Sequence, residues 1–228
     1  MLRRLALFTL ATTCAALALP ASAHRLLVVN DAPLGPDNAL VVEDIAVSQV
    51  AYHTASPQAP ELWLTFDAEE GEALYLQLGV PQIDRLTALR PSIALLAPGG
   101  DPNVDVPFDL PEGYGGVVLS TAAVTSPPVF DEPFTGTSSW TLLEFDLDLP
   151  ASGQYYLVAY LPGGGDGKFW MAVGTTEEFG IGDIFSLGDT IAQVRAFHEV
   201  GPFGGILAWI VTVLFTIASG FATLFALS

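Results

Sequence analysis

Cysteine occurs once in the 228 residues, as Cys14, beside only two methionines and three histidines. Cys14 lies in the apolar run of a segment that reads as a removable leader, so the exported chain has no cysteine. That excludes disulfides, thiolate metal sites and a cysteine nucleophile. Basic residues are almost as scarce. Seven Lys and Arg stand against 25 Asp and Glu, for a formal net charge of −18. Arg3 and Arg4 belong to the leader, which leaves Arg25, Arg85, Arg90, Lys168 and Arg195. So acidic a surface repels nucleic acid and anionic headgroups, and no nucleic-acid partner is expected. Catalytic motifs are missing too. There is no Gly-x-Ser-x-Gly elbow, no HExxH and no strand–GxxxxGK–helix phosphate loop. The chain is expected not to be an enzyme.

Long apolar runs occur only at the two ends. Residues 1–23 combine Met1-Leu2-Arg3-Arg4, an uncharged stretch from Leu5 to Leu19 and the triplet Ala21-Ser22-Ala23. A basic start, a short apolar core and a small-x-small site describe a secretory signal peptide, with His24 as the new first residue. Residues 203–228 carry no charge, and 22 of them, Ile206 to Leu227, are mostly Leu, Ile, Val, Phe and Ala. About 20 apolar residues at ~1.5 Å each cross a hydrocarbon core of about 30 Å. The expected address is the cytoplasmic membrane, with residues 24–180 folded on the periplasmic or extracellular side. Ala218, Ala222 and Ala226 recur every four residues along this span. Such a small-residue stripe suits self-association or pairing with another membrane protein.

Between the ends the dominant period is two. Leu62, Leu64 and Phe66 alternate with Trp63 and Thr65; Leu74, Leu76 and Leu78 alternate with Tyr75 and Gln77. Leu143, Phe145, Leu147 and Leu149 alternate with Glu144, Asp146 and Asp148. This is the pattern of half-buried strands. Further strands are expected over 45–52, 92–96, 117–119, 154–161 and 169–173. Glu69-Glu70-Gly71-Glu72 separates two of the runs and is expected to close a hairpin. About eight short strands with Gly/Pro turns imply an all-β, antiparallel sandwich or jelly roll. The stretch from Gly99 to Pro133 reads as long loops around one strand. At 181–202 the period lengthens: Ile184, Leu187, Ile191 and Val194 recur at helical spacing, with Phe197 beside them. This predicts a juxtamembrane amphipathic helix, expected to pack on its own domain.

Glu61 to Gly79, with Leu-Thr-Phe-Asp-Ala-Glu-Glu-Gly-Glu-Ala-Leu-Tyr-Leu-Gln-Leu in its middle, resembles the opening of bacterial pre-peptidase C-terminal (PPC) domains. So do Pro91-Ser92-Ile93-Ala94-Leu95-Leu96-Ala97-Pro98-Gly99 and the closing Leu149-Pro150-Ala151-Ser152-Gly153-Gln154-Tyr155-Tyr156-Leu157-Val158. The resemblance spans about residues 45–174. It implies a non-catalytic β-sandwich accessory module of secreted proteins. The chain departs from that pattern by a long insertion around Asp101 to Thr137 and by having no catalytic domain beside it, so no ligand site carries over.

Three kinds of site remain to be weighed. An N-terminal His24 offers its amine and imidazole to copper, with His53 as a further ligand. Asp101, Asp105 and Asp109 punctuate one loop, and Asp131-Glu132 another, which are carboxylates of the kind that hold calcium. The aromatic residues Trp140, Tyr155, Tyr156, Tyr160 and Trp170 would give a carbohydrate-active enzyme a stacking face, if paired carboxylates lie nearby. His198, near the membrane, reads as a polar residue at a helix end, or as a pH sensor. The reading that fits best is a non-enzymatic, membrane-tethered module that binds or supports an envelope partner.

Overall fold

The computed structural model describes residues 25–30, 32, 34–176 and 181–202. The leader 1–23, His24 and the apolar segment 203–228 with Ala218, Ala222 and Ala226 lie outside the described residues. Among the described residues, eleven strands form two sheets, with one long helix after them. The strands are β1 Arg25–Asn30, β2 Leu40–Val41, β3 Gln49–Ala55, β4 Glu61–Ala68, β5 Ala73–Pro81, β6 Ser92–Pro98, β7 Tyr114–Ser120, β8 Val129–Glu132, β9 Thr137–Asp148, β10 Gly153–Tyr160 and β11 Gly167–Val173; the helix is α1, Ile181–Phe197. One sheet runs β1-β3-β11-β5-β9-β8 and the other β2-β4-β10-β6-β7.

The alternating leucines do what their period implies. Leu62, Leu64 and Leu157 of one sheet meet Leu74, Leu76, Leu78 and Phe169 of the other in one buried cluster. Fully burying each such side chain is worth roughly 1.5–3 kcal/mol. The sandwich is therefore as expected, but its pairing differs in three respects. First, β4 and β5 form no hairpin. They belong to opposite sheets, so Glu69–Glu72 carries the chain across the sandwich. The turns β9–β10 and β10–β11 cross in the same way. In each case both flanking strands point their apolar side chains into the shared interior, which an arch permits as readily as a hairpin. Second, the edge pairs β1–β3 and β2–β4 are parallel, because long connections separate their members. Third, β1, β2 and β8 are additional to the expected strands, and β8 falls in the stretch read as loop.

Neither outer face is bare. Over the second sheet the segment 104–110 lies flat, with Val104, Val106, Phe108 and Leu110 against Trp63, Tyr156, Val158 and Tyr160. Over the first sheet lies α1. Its buried Val194 and Phe197 pack on Val50, Tyr52, Trp170 and Ala172. The helix follows β11 and ends beside the start of that strand. The sandwich thus has an upper end, with the turn 69–72 and Ser152, and a lower end. The lower end holds the loop 82–91, the β8–β9 turn 133–136, and the last turn of α1. Among the described residues, no helix is long and apolar enough to cross a membrane.

Candidate functional site

The most elaborate polar arrangement in the domain lies where α1 ends. Helical spacing turns Ile191, Val194 and Phe197 toward the first sheet, and Tyr52 meets the Phe197 ring edge-on at 5.0 Å. The next residue, His198, is carried down into the same seam. Its Nδ1 lies 2.8 Å from the Val194 carbonyl, which only accepts, so Nδ1 bears the proton. Nε2 is therefore the acceptor, and it takes the Ser139 hydroxyl proton at 3.1 Å. The Ser139 Oγ accepts in turn from the Trp170 indole N–H at 3.0 Å. Trp170 is on β11 and Ser139 on β9, with β5 between them. The indole crosses β5 over Gly79, where a Cβ would stand 2.2 Å from its Cζ2. Glycine at this position is what lets the indole reach Ser139.

Basic residues converge on the same turn. Arg195 is buried and donates through Nε to the Gly201 carbonyl and through Nη1 to the carbonyls of Thr135 and Gly136. Lys168 donates to the Phe197 carbonyl at 2.9 Å and to Glu199 at 2.8 Å, and lies 5.3 Å from the centre of the Phe197 ring. Arg85, from the 84–86 turn, grips both oxygens of Glu199. Three cations thus neutralise carbonyls and dipole at a helix C-terminus. The backbone closes there with Val200 N–H on the Arg195 carbonyl and Glu199 N–H on the Ala196 carbonyl. This is a Schellman motif, in which the left-handed residue is usually glycine. Here Glu199 occupies that position at φ 58°, and its carboxylate is what Arg85 and Lys168 bind.

The electrostatics follow from these contacts. Burial lowers the His198 pKa to about 4, with the Lys168 and Arg195 charges acting in the same direction against the Val194 hydrogen bond. At neutral pH the imidazole is uncharged and suited to accept from Ser139. Hydrogen bonds from Arg85 and Lys168 draw Glu199 down to about 2. A serine bonded to an oriented histidine has the geometry of an activated nucleophile. However, Ser139 is 4% and His198 5% exposed, and the Trp170 N–H already occupies the Ser139 Oγ. The arrangement secures a helix end and gives a substrate no approach to the hydroxyl.

The residues singled out from sequence are scattered. His53 is buried between the sheets, with Nε2 2.9 Å from the Ala59 carbonyl. It pairs with Asn30 at one end of β1, whereas Arg25, next to His24, pairs with Gln49 at the other. Four residues of strand separate the two positions, about 13 Å. Asp101 accepts from the backbone and side-chain nitrogens of Asn103, which lowers its pKa and closes a local turn. Asp105 and Asp109 lie on the exposed side of the 104–110 segment, between the residues that cover Tyr160. Asp131 accepts from Ser138, and Glu132 from the Phe134 N–H. No cluster of three His, Cys, Asp or Glu that could hold a metal occurs among the described residues.

The aromatic set does not gather into one exposed face. Tyr155 is in the core against Phe66, Tyr156 and Tyr160 lie under the 104–110 segment, and Trp170 is under α1. A shallow open cleft of about 270 Å³ lies at the upper end between Asp67, Glu69, Glu72 and Ser152. Two of its three carboxylates are engaged within the turn: Glu69 accepts from Ser152 and Glu72 from the Glu69 N–H. Sequence reading missed Ser139 and the convergence of Arg85, Lys168 and Arg195. The rarity of basic residues is the one signal that could have marked these three.

No family model and no curated protein matches the chain. Solved structures do. The PPC domain of a collagenase from Bacillus anthracis is 13% identical, with 62% of this chain and 97% of that one covered at a TM-score of 0.33. PliG of Aeromonas hydrophila, a periplasmic inhibitor of g-type lysozyme, is 14% identical over 67% of this chain and 98% of its own, at 0.29. CorA of Methylomicrobium album BG8, a surface-associated copper-binding protein, is 11% identical over 65% and 98%, at 0.32. A PPC domain, the family that residues 45–174 resemble in sequence, is thus among the solved structures that match.

Proposed function

We propose that the chain is a non-enzymatic β-sandwich exported across the cytoplasmic membrane and tethered to it by its last segment, where it serves a membrane or envelope partner as a binding or accessory module. The observation that carries this reading is the fixed exit point. α1 runs down the first sheet and is clamped at its last turn by His198, Arg195, Lys168 and Arg85. The described chain ends at Pro202, and the uncharged segment 203–228, with its apolar run from Ile206, follows directly. A module presented at a set angle to a membrane neighbour is served by so fixed a junction. The closed Ser139–His198 pair supports the non-enzymatic part.

Fractionation of cells making the full-length protein tests the tether. The protein is expected to lack residues 1–23 and to stay in the membrane pellet through alkaline carbonate washing. Recovery in the supernatant would overturn the reading. Proteins that co-purify in mild detergent, and are lost when residues 203–228 are deleted, would identify the neighbour.

A further inference from the structure

The lower end of the domain differs from the rest of the surface in charge and in apolarity. Four of the five basic residues beyond position 24 are found there: Arg85, Arg90, Lys168 and Arg195. Glu61, Asp84, Asp131, Glu132, Asp166 and Glu199 share that end, so four cations there stand against six carboxylates and the lower end is only weakly acidic. The upper end has Asp44, Asp67, Glu69, Glu70, Glu72 and Asp148, with Arg25 as its cation. The molecule is therefore electrically polarised along its strands.

Apolar side chains surround the exit point. One guanidinium, that of Arg195, binds Gly201 on one side and Thr135 and Gly136 on the other. This sets the Pro133-Phe134-Thr135-Gly136 turn beside the departing chain. Phe130 is 38% exposed and lies opposite Ser139, the partner of His198. Val200, 39% exposed, completes the set. Phe130 and Val200 are two of the five large hydrophobic side chains exposed among the described residues.

We infer that the lower end rests on the surface of a phospholipid bilayer, with the 133–136 turn, Phe130 and Val200 among the headgroups and the acidic upper end directed away. The inference rests on the tether reading and adds the orientation and the contact face. Chain length carries it. From Pro202 to Ile206, where the apolar run begins, the backbone spans at most about 14 Å. A clamped exit point that close to a spanning segment leaves no room for a water layer thicker than a few molecules. Charge agrees with it. The upper carboxylates stand about 35 Å from the lower end along β9, several Debye lengths from the lipid charges at physiological salt, whereas the lower end is only weakly acidic. Apolar and aromatic side chains at headgroup depth are favourable.

Replacing Cys14 by Ser leaves a chain in which one introduced cysteine is unique. Full-length protein is incorporated into nanodiscs of phosphatidylcholine and phosphatidylglycerol, with a nitroxide at Phe134→Cys, at Val200→Cys or, as upper-end control, at Glu70→Cys. Melting curves confirm that each variant folds. Collision with oxygen relative to a water-soluble nickel chelate is expected to be several-fold higher at 134 and 200 than at 70. Equal ratios in nanodisc-embedded protein would overturn the contact face and leave the tether standing. Dipolar broadening between two labels at 134 would overturn it in favour of a second copy on that face. Failure to enter nanodiscs would overturn the tether and this inference together.

Discussion

At the residue scale, His198 is buried at the docked helix end with both ring nitrogens hydrogen-bonded, so its protonation is expected to loosen that end. Its pKa is lowered in the fold, so the folded state binds fewer protons than the unfolded one between about pH 6.5 and pH 4. The stabilisation is complete above about pH 6.5 and is lost as pH falls toward 4. Its full size is on the order of 3 kcal/mol. Amide exchange of residues 191–200 is expected to accelerate across that window, well before the core strands respond. In His198→Phe, which keeps the packing and cannot titrate, the acceleration should be absent. Ser139→Ala removes one acceptor and one donor from a buried network and is expected to cost about 1–3 kcal/mol, measured by urea unfolding. From residues 195–199 alone His198 reads as a polar residue at a helix end or as a pH sensor, and neither reading supplies its partner. Its partner is 59 positions away in sequence. Period-two alternation places Ser139 on a face and says nothing of what lies across it.

At the element scale, each strand of clear alternation was legible and its partner was not. Leu62–Phe66 and Leu74–Leu78 show their buried faces plainly, yet a short polar turn between two such runs fits an arch as well as a hairpin. β8 was unreadable for another reason. Val129-Phe130-Asp131-Glu132 is a four-residue edge strand with both faces partly in solvent, so no burial pattern marks it. The glycines of edge and centre test the pairing. A Cβ at Gly116 would stand 1.9 Å from the Leu95 carbonyl oxygen, whereas at Gly79 it would meet the far end of the Trp170 side chain. Gly116→Ala is expected to be the more damaging, because backbone cannot give way as an indole can. Gly79→Ala should cost about 1–3 kcal/mol by overpacking and should shift the Trp170 fluorescence as the indole leaves Ser139. On the other outer face, Phe108→Ala should loosen the 104–110 segment, with a loss of about 2 kcal/mol in denaturant unfolding and faster proteolysis of that segment.

At the scale of the whole molecule, charge dominates. Twenty-five carboxylates on a chain with so few cations repel one another in the compact state. Added salt screens that repulsion, so the melting temperature is expected to rise between low ionic strength and about 0.5 M sodium chloride. A flat or falling trend would mean that the ion pairs of Glu199 outweigh the general repulsion.

The sheet order also governs when the chain can fold. β10 and β11 are the last strands made, yet they lie inside their sheets, β10 between β4 and β6 and β11 between β3 and β5. Each sheet is two separate pieces until its final strand arrives, and almost all pairing is non-local, which slows folding. A polypeptide emerging from its N-terminus would therefore be unable to complete both sheets until residue 173 had appeared. Only then would α1 and the residues behind it follow, onto a sheet complete enough to receive them. The topology in this sense delays its own completion until the last strands are made.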